Sequence, residues 1–147
     1  MTAVAFITTS KGRLHHIRQT LPLIVAQSPA EIMVVDYACP QQTGDWVEAH
    51  YGPVKGLRVS DDPGFCVSSA RNIGALETSS PWLLFIDADV EVAPGLVDWV
   101  RKFAAPNSYY VPVPSVGQRA DRELDGTVLV ERKAFERIGG RHRPSSC

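Results

Sequence analysis

Short apolar runs alternate with helix-spaced segments along this chain, and that alternation constrains its fold more than any other feature. Ala3 to Thr9 reads AVAFITT, a buried-strand pattern that ends in hydroxyl residues. From Arg13 to Gln27, Leu14, Ile17, Leu21, Ile24 and Val25 recur at steps of three and four, which predicts a helix with one apolar face. Pro22 inside it predicts a kink or break near Thr20. Glu31 to Asp36 (EIMVVD) predicts a second strand, Thr43 to Tyr51 a short helix capped by Thr43 or Asp45, and Lys55 to Ser60 a third strand. Asp61-Asp62-Pro63-Gly64 predicts a turn. Ser68 to Glu77 is helical in pattern, with Ser68 or Ser69 as cap. Trp82 to Ile86 (WLLFI) is the clearest strand, and Pro94 suits the first position of a helix striped by Leu96, Val97, Val100 and Phe103. Strands at Tyr109–Val113 and Thr127–Val130 and a helix at Lys133–Ile138 complete the reading. Such alternation predicts an α/β fold: a mostly parallel sheet flanked by helices on both faces.

The composition narrows the function classes. A formal net charge of −1 gives no electrostatic argument for nucleic acid. No apolar run approaches the ~20 residues of a membrane span. The start, MTAVAFITTSKGR, turns polar too soon for a signal peptide, so a cytoplasmic location is expected. The three cysteines, Cys39, Cys66 and Cys147, form no CxxC pair or Cys/His cluster. They read as free thiols, and zinc is disfavoured. Polar and mixed-charge stretches at Arg119–Glu123 and 141–147 read as a solvated loop and a disordered tail. One domain over 1–140 is therefore expected.

In a parallel sheet, ligands sit beyond the carboxyl ends of the strands. Thr8-Thr9-Ser10, Asp36, Asp61-Asp62 and Asp87-Ala88-Asp89 fall at those ends. Asp87 and Asp89, spaced i, i+2 at a strand exit, can approach one hard divalent cation, Mn²⁺ or Mg²⁺. The competing reading is a pair of turn or cap aspartates. Asp36 can accept from a ribose hydroxyl or a base N–H, or simply start a loop. Arg71 and Asn72, early in a helix, can face an anionic diphosphate or lie on a solvated face. Thr8 and Ser10 can meet a nucleobase or do ordinary turn chemistry. Adjacent His15 and His16 point apart on a helix and make no metal pair. Trp46, Trp82 and Trp99 read as core or half-buried residues. No GxSxG, P-loop or GxGxxG is present.

Taken in order, ITTSKGR, EIMVVD, PGFCVSSARNIGA and WLLFIDADV resemble family 2 of the glycosyltransferases, which has the GT-A fold, a Rossmann-like arrangement. The later GTVLVERKAFERIGG is similar to the family's run into its acceptor domain. The resemblance covers roughly Ala3 to Gly140. It implies that Thr8 and Ser10 touch the nucleobase, that Asp36 meets base or ribose, and that Arg71 and Asn72 flank the nucleotide. It further implies that Asp87 and Asp89 form a DxD motif, with Asp89 the direct metal ligand and Asp87 nearer the ribose or metal-bound water. The implied partner is a nucleoside diphosphate sugar, with UDP favoured, and the implied reaction an inverting, metal-dependent transfer.

Two departures from the family pattern stand out. Tyr37 follows Asp36 where the family has a second acidic residue. After Gly140 the chain reads RHRPSSC, where the family continues into an acidic, aromatic stretch that holds the catalytic base. A truncated chain without a catalytic base, and possible inactivity, are therefore expected. Two other function classes stay open: a non-catalytic module that self-associates through an exposed apolar surface as a homo-oligomer, and a Mg-dependent nucleotidyltransferase.

Overall fold

The computed structural model describes residues 2–60, 66–112 and 126–140. The expected turn at 61–64, the loop at 119–123 and the tail at 141–147 lie outside them, as does Cys147. Six strands form one mixed sheet: β1 (Val4–Ser10), β2 (Glu31–Tyr37), β3 (Val54–Val59), β4 (Trp82–Asp87), β5 (Tyr109–Tyr110) and β6 (Val128–Glu131). Their order is β3-β2-β1-β4-β6-β5. Strands β1 to β4 pair in parallel, and β6 runs antiparallel to both β4 and β5. Helices α1 (Leu14–Val25), α2 (Thr43–His50), α3 (Val67–Leu76), α4 (Leu96–Phe103) and α5 (Arg132–Arg137) connect or follow them.

Alternation along the strands sorts the core into two layers. Val4, Phe6, Ile32, Val34, Leu84 and Ile86 pack against Ile17, Leu21 and Ile24 of α1, Val47 of α2, and Val97 and Val100 of α4. Ala5, Ile7, Met33, Val35, Leu83 and Phe85 pack against Ala70 and Ala75 of α3, with Ala134 and Phe135 of α5 alongside. Gly74 lets α3 settle directly on this second face. A methyl group there would fall 2.6 Å from Cγ2 of Ile7.

Several elements differ in detail from expectation. Helix α1 contains Pro22 but runs through it without a break. The carbonyl that loses its donor belongs to Arg18, an exposed residue, so solvent can serve it. The cap of α3 is Cys66, whose sulfur accepts from the Ser69 N–H at 3.4 Å, not Ser68 or Ser69. Cys66 is disulfide-bonded, and Cys39 is a buried free thiol. The expectation of three free thiols is thereby corrected at Cys66, because spacing along the chain does not report which sulfurs meet in the fold. Among the described residues no helix is long and apolar enough to cross a membrane.

Glu31 shows how a strand start is tied to the loop before β4. Its carboxylate accepts from the backbone N–H of Ser79 at 3.0 Å, the N–H of Ser80 at 2.7 Å and the Ser80 hydroxyl at 2.5 Å. Burial pushes the Glu31 carboxyl up, but the Ser80 hydroxyl, these N–H donors and nearby Lys55 outweigh it and hold it below its usual value of 4.5. A depressed carboxylate stabilises the fold above its unfolded-state value, and that contribution fades as pH falls through the lower folded value. Glu31→Gln is therefore expected to melt below wild type at neutral pH. The gap should close as pH drops beneath 4.5 in parallel thermal unfolding series.

Candidate functional site

The carboxyl edge of the parallel strands carries the polar groups. In the ladder, Thr9 of β1 lies beside Asp87 of β4, and Ser10 lies beside Asp36 of β2. Successive side chains leave opposite faces, so these pairs part company. Asp87 turns to the α3 side, where its Oδ1 accepts from Arg71 Nη2 at 3.0 Å. Ser10 and Asp36 turn to the α2 side. The Ser10 hydroxyl donates to Thr43 Oγ1 at 3.3 Å, and the Asp36 carboxylate accepts from the Cys39 and Gly44 N–H groups, each at 2.8 Å.

A cleft of about 320 Å³ opens at this edge, lined by Thr9, Lys11, Arg13, Val67, Asp87, Ala88 and Asp89. Such a volume sits at the lower end for a small-molecule site. Asp87 and Asp89 reach it together because a tight turn follows β4. The Val90 N–H donates to the Asp87 carbonyl at 3.1 Å. The Ala88 carbonyl accepts from the Thr20 hydroxyl of α1 at 2.8 Å, which pins the turn to the core. Asp89 is exposed and holds no hydrogen bond or ion pair among the described residues. Asp87 is half-buried in an ion pair with Arg71, and the same Nη2 donates to the Gly126 carbonyl at 2.5 Å.

Lys11 and Arg13 bring positive charge to the opposite rim. The loop carrying them is held from β2 and its following loop. The Gly12 N–H donates to Cys39 Sγ at 3.2 Å, and the Leu14 N–H donates to Gln41 Oε1 at 3.1 Å. Burial pushes the Cys39 thiol up, but the Thr43 hydroxyl and the N–H groups around the sulfur outweigh it and lower it. Val67, the first residue of α3, lines the cleft, so that helix N-terminus adds its dipole to the same side.

Of the residues singled out from sequence, the structure brings Asp87 together with Asp89 in the cleft and with Arg71 in an ion pair. Asn72 lies beside Arg71 along an adjoining apolar groove, which Phe85, Tyr109, Val128, Phe135 and Ile138 also line. Thr8, Ser10 and Asp36 lie behind the cleft and do not line it; Ser10 is 0% and Asp36 5% exposed. In the run Thr8-Thr9-Ser10 it is Thr9 that faces the cleft, a choice that depends on strand register. Sequence reasoning passed over Lys11 and Arg13. Their signal was two cations directly after a strand's hydroxyl exit.

Hard oxygen donors on Asp87 and Asp89 fit Mg²⁺ or Mn²⁺ bound by one or two carboxylates plus phosphate oxygens and water. Among the described residues no group of three or more His, Cys, Asp or Glu comes together, so a closed cage such as structural zinc uses is not formed.

Solved structures share this architecture. A mannosyltransferase from Pyrobaculum calidifontis, PcManGT, in complex with GDP-Man and Mn²⁺, superposes with a TM-score of 0.72 at 20% identity. The match covers 93% of this chain and 46% of that one. S. aureus TarS 1-349 in complex with UDP-GlcNAc gives a TM-score of 0.71 at 16% identity, covering 93% and 47%. The chain thus spans about half the length of the solved chains it matches. No curated protein matches it in sequence. These likenesses establish a GT-A fold. The sequence model of glycosyl transferase family 2 matches residues 5–140, nearly the whole chain, and the protein belongs to that family.

Proposed function

We propose that this domain binds the diphosphate of a nucleoside diphosphate sugar, with Mn²⁺ or Mg²⁺, as the donor half of an inverting glycosyl transfer. One observation carries the reading: two carboxylates and two cations converge on a single cleft at the carboxyl edge of the sheet. Asp89 and Asp87 would hold the cation, which when bound neutralises charge on the departing diphosphate. Lys11 and Arg13 attract the phosphates, and the start of α3 adds backbone dipole to them. Arg71 fixes Asp87 and, with Asn72, borders the sugar side. Thr9 faces the ligand from the sheet, while Thr8, Ser10 and Asp36 shape the site from behind. The reading leaves the acceptor's general base unassigned. PcManGT and TarS were solved with GDP and UDP sugars respectively, so both nucleotides belong in the test, UDP first.

Calorimetry with UDP and GDP, with and without Mn²⁺, decides it. Wild type is expected to bind at least one of them, and more tightly with Mn²⁺. Lys11→Ala/Arg13→Ala should weaken that binding by about 10- to 100-fold, as loss of hydrogen bonds to charged groups does. Metal-independent binding, untouched by the double substitution, would remove the proposal. Self-association is a separate proposal, supported by the exposure of Tyr109 and Ile138 along the apolar groove. Light scattering that shows a monomer at high concentration removes it.

A further inference from the structure

Asp87 has a neighbour that nothing in the sequence singles out. β4 and β6 pair with Phe85 beside Val128, and extending that register by two residues on each strand sets Gly126 opposite Asp87. The bare Cα of Gly126 lies against the carboxylate. A methyl group added there would overlap both Asp87 oxygens and the carbon between them. The Gly126 carbonyl also accepts from Arg71 Nη2, the nitrogen that donates to Asp87 Oδ1. The Arg71 guanidinium is held in turn over the Phe85 ring, 5.9 Å from its centre. Asp87 is thus gripped by an arginine on one side and backed by a residue without a side chain on another, with 37% of its own side chain still exposed.

We infer that Gly126 is a positioning residue for the cation site. Its missing side chain lets the Asp87 carboxylate lie back against the end of β6, where Arg71 fixes it and where it shares the cleft with Asp89. Any side chain at 126 pushes the carboxylate out of that place. The atoms that must move are the far end of a flexible side chain, so the fold tolerates the change better than the site does. Gly126 therefore acts on the cation only through Asp87. This inference rests on the donor-binding reading above.

The test is Mn²⁺ binding followed by electron paramagnetic resonance in the presence of UDP or GDP, alongside thermal unfolding. Gly126→Ala is expected to lower Mn²⁺ affinity by about tenfold or more, the usual scale for residues that orient a metal ligand. Its melting temperature should stay close to wild type, and Asp87→Ala/Gly126→Ala should melt no lower than Asp87→Ala alone, since the overlap is gone. If wild type takes up Mn²⁺ with nucleotide and Gly126→Ala matches it, the positioning role is overturned while donor binding stands. If wild type takes up none, donor binding falls and the inference falls with it. Should Gly126→Ala fail to fold, recovery of folding in the double variant upholds action through Asp87, and continued failure overturns it.

Discussion

Asp89→Ala is expected to reduce Mn²⁺-dependent nucleotide binding by about 100-fold or more, beyond the loss seen when residues behind a metal ligand are changed. The expectation follows from how differently the two cleft aspartates are used. Asp87 is committed to an ion pair with Arg71, whereas Asp89 is exposed on the turn after β4 and bonds to nothing among the described residues. A carboxylate with no structural partner adds little to folding, so its removal should be nearly silent in stability. The same carboxylate is the freest oxygen donor in the cleft. Titration calorimetry at fixed Mn²⁺, paired with a melting curve, separates the two effects. Unchanged affinity at unchanged stability would show that Asp89 is an ordinary turn residue. Asp87→Ala is less clean, because it also strands Arg71.

Phe6→Ala should destabilise the domain by about 3–5 kcal/mol, the range for emptying a large aromatic from a close-packed core. Phe6 stands on β1, which is flanked by β2 and β4 near the middle of the sheet, and is 1% exposed. It belongs to the layer shared with α1, α2 and α4. Phe103, at the end of α4, is 64% exposed, so Phe103→Ala should change stability by less than about 0.5 kcal/mol. Urea unfolding of the two variants side by side checks this. A small effect at Phe6 would mean that the layer collapses around the gap. The consequence reaches function, because β1 delivers Thr9 and the Lys11–Arg13 loop to the cleft.

Much of the fold was legible because apolar runs and helical spacing report burial directly. WLLFI, EIMVV and AVAFI each became a strand with the expected direction, and every helix read from spacing exists within a few residues. The mixed character of the sheet was less visible. Nothing local in Val128–Glu131 says that it returns antiparallel beside β4. The passage of α1 through Pro22 is eased because the residue whose carbonyl loses its donor, Arg18, is exposed, which periodicity does not reveal. Cap chemistry also escaped, since Cys66 is a weak acceptor that spacing alone does not favour over the serines after it.

The site was legible in part. That Asp87 and Asp89 reach one cleft could be read because a strong strand fixes where its exit lies. Thr8, Ser10 and Asp36 were placed at the correct edge, but a single residue of register decides which face a strand-end side chain takes. Ser10 and Asp36 instead bond to Thr43, Cys39 and Gly44 and so close the loops behind the cleft. Gly126 lies against Asp87 and Thr20 bonds the Ala88 carbonyl from 39 and 67 positions away in sequence, counting from Asp87 in each case, and no local pattern links them.

The most direct measurement is a crystal soaked with Mn²⁺ and UDP or GDP, with the anomalous signal of manganese used to place the ion. One peak is expected in the cleft, beside the carboxylates of Asp89 and Asp87 and next to the diphosphate. A peak on another face of the molecule, or a nucleotide bound there without metal, would contradict it.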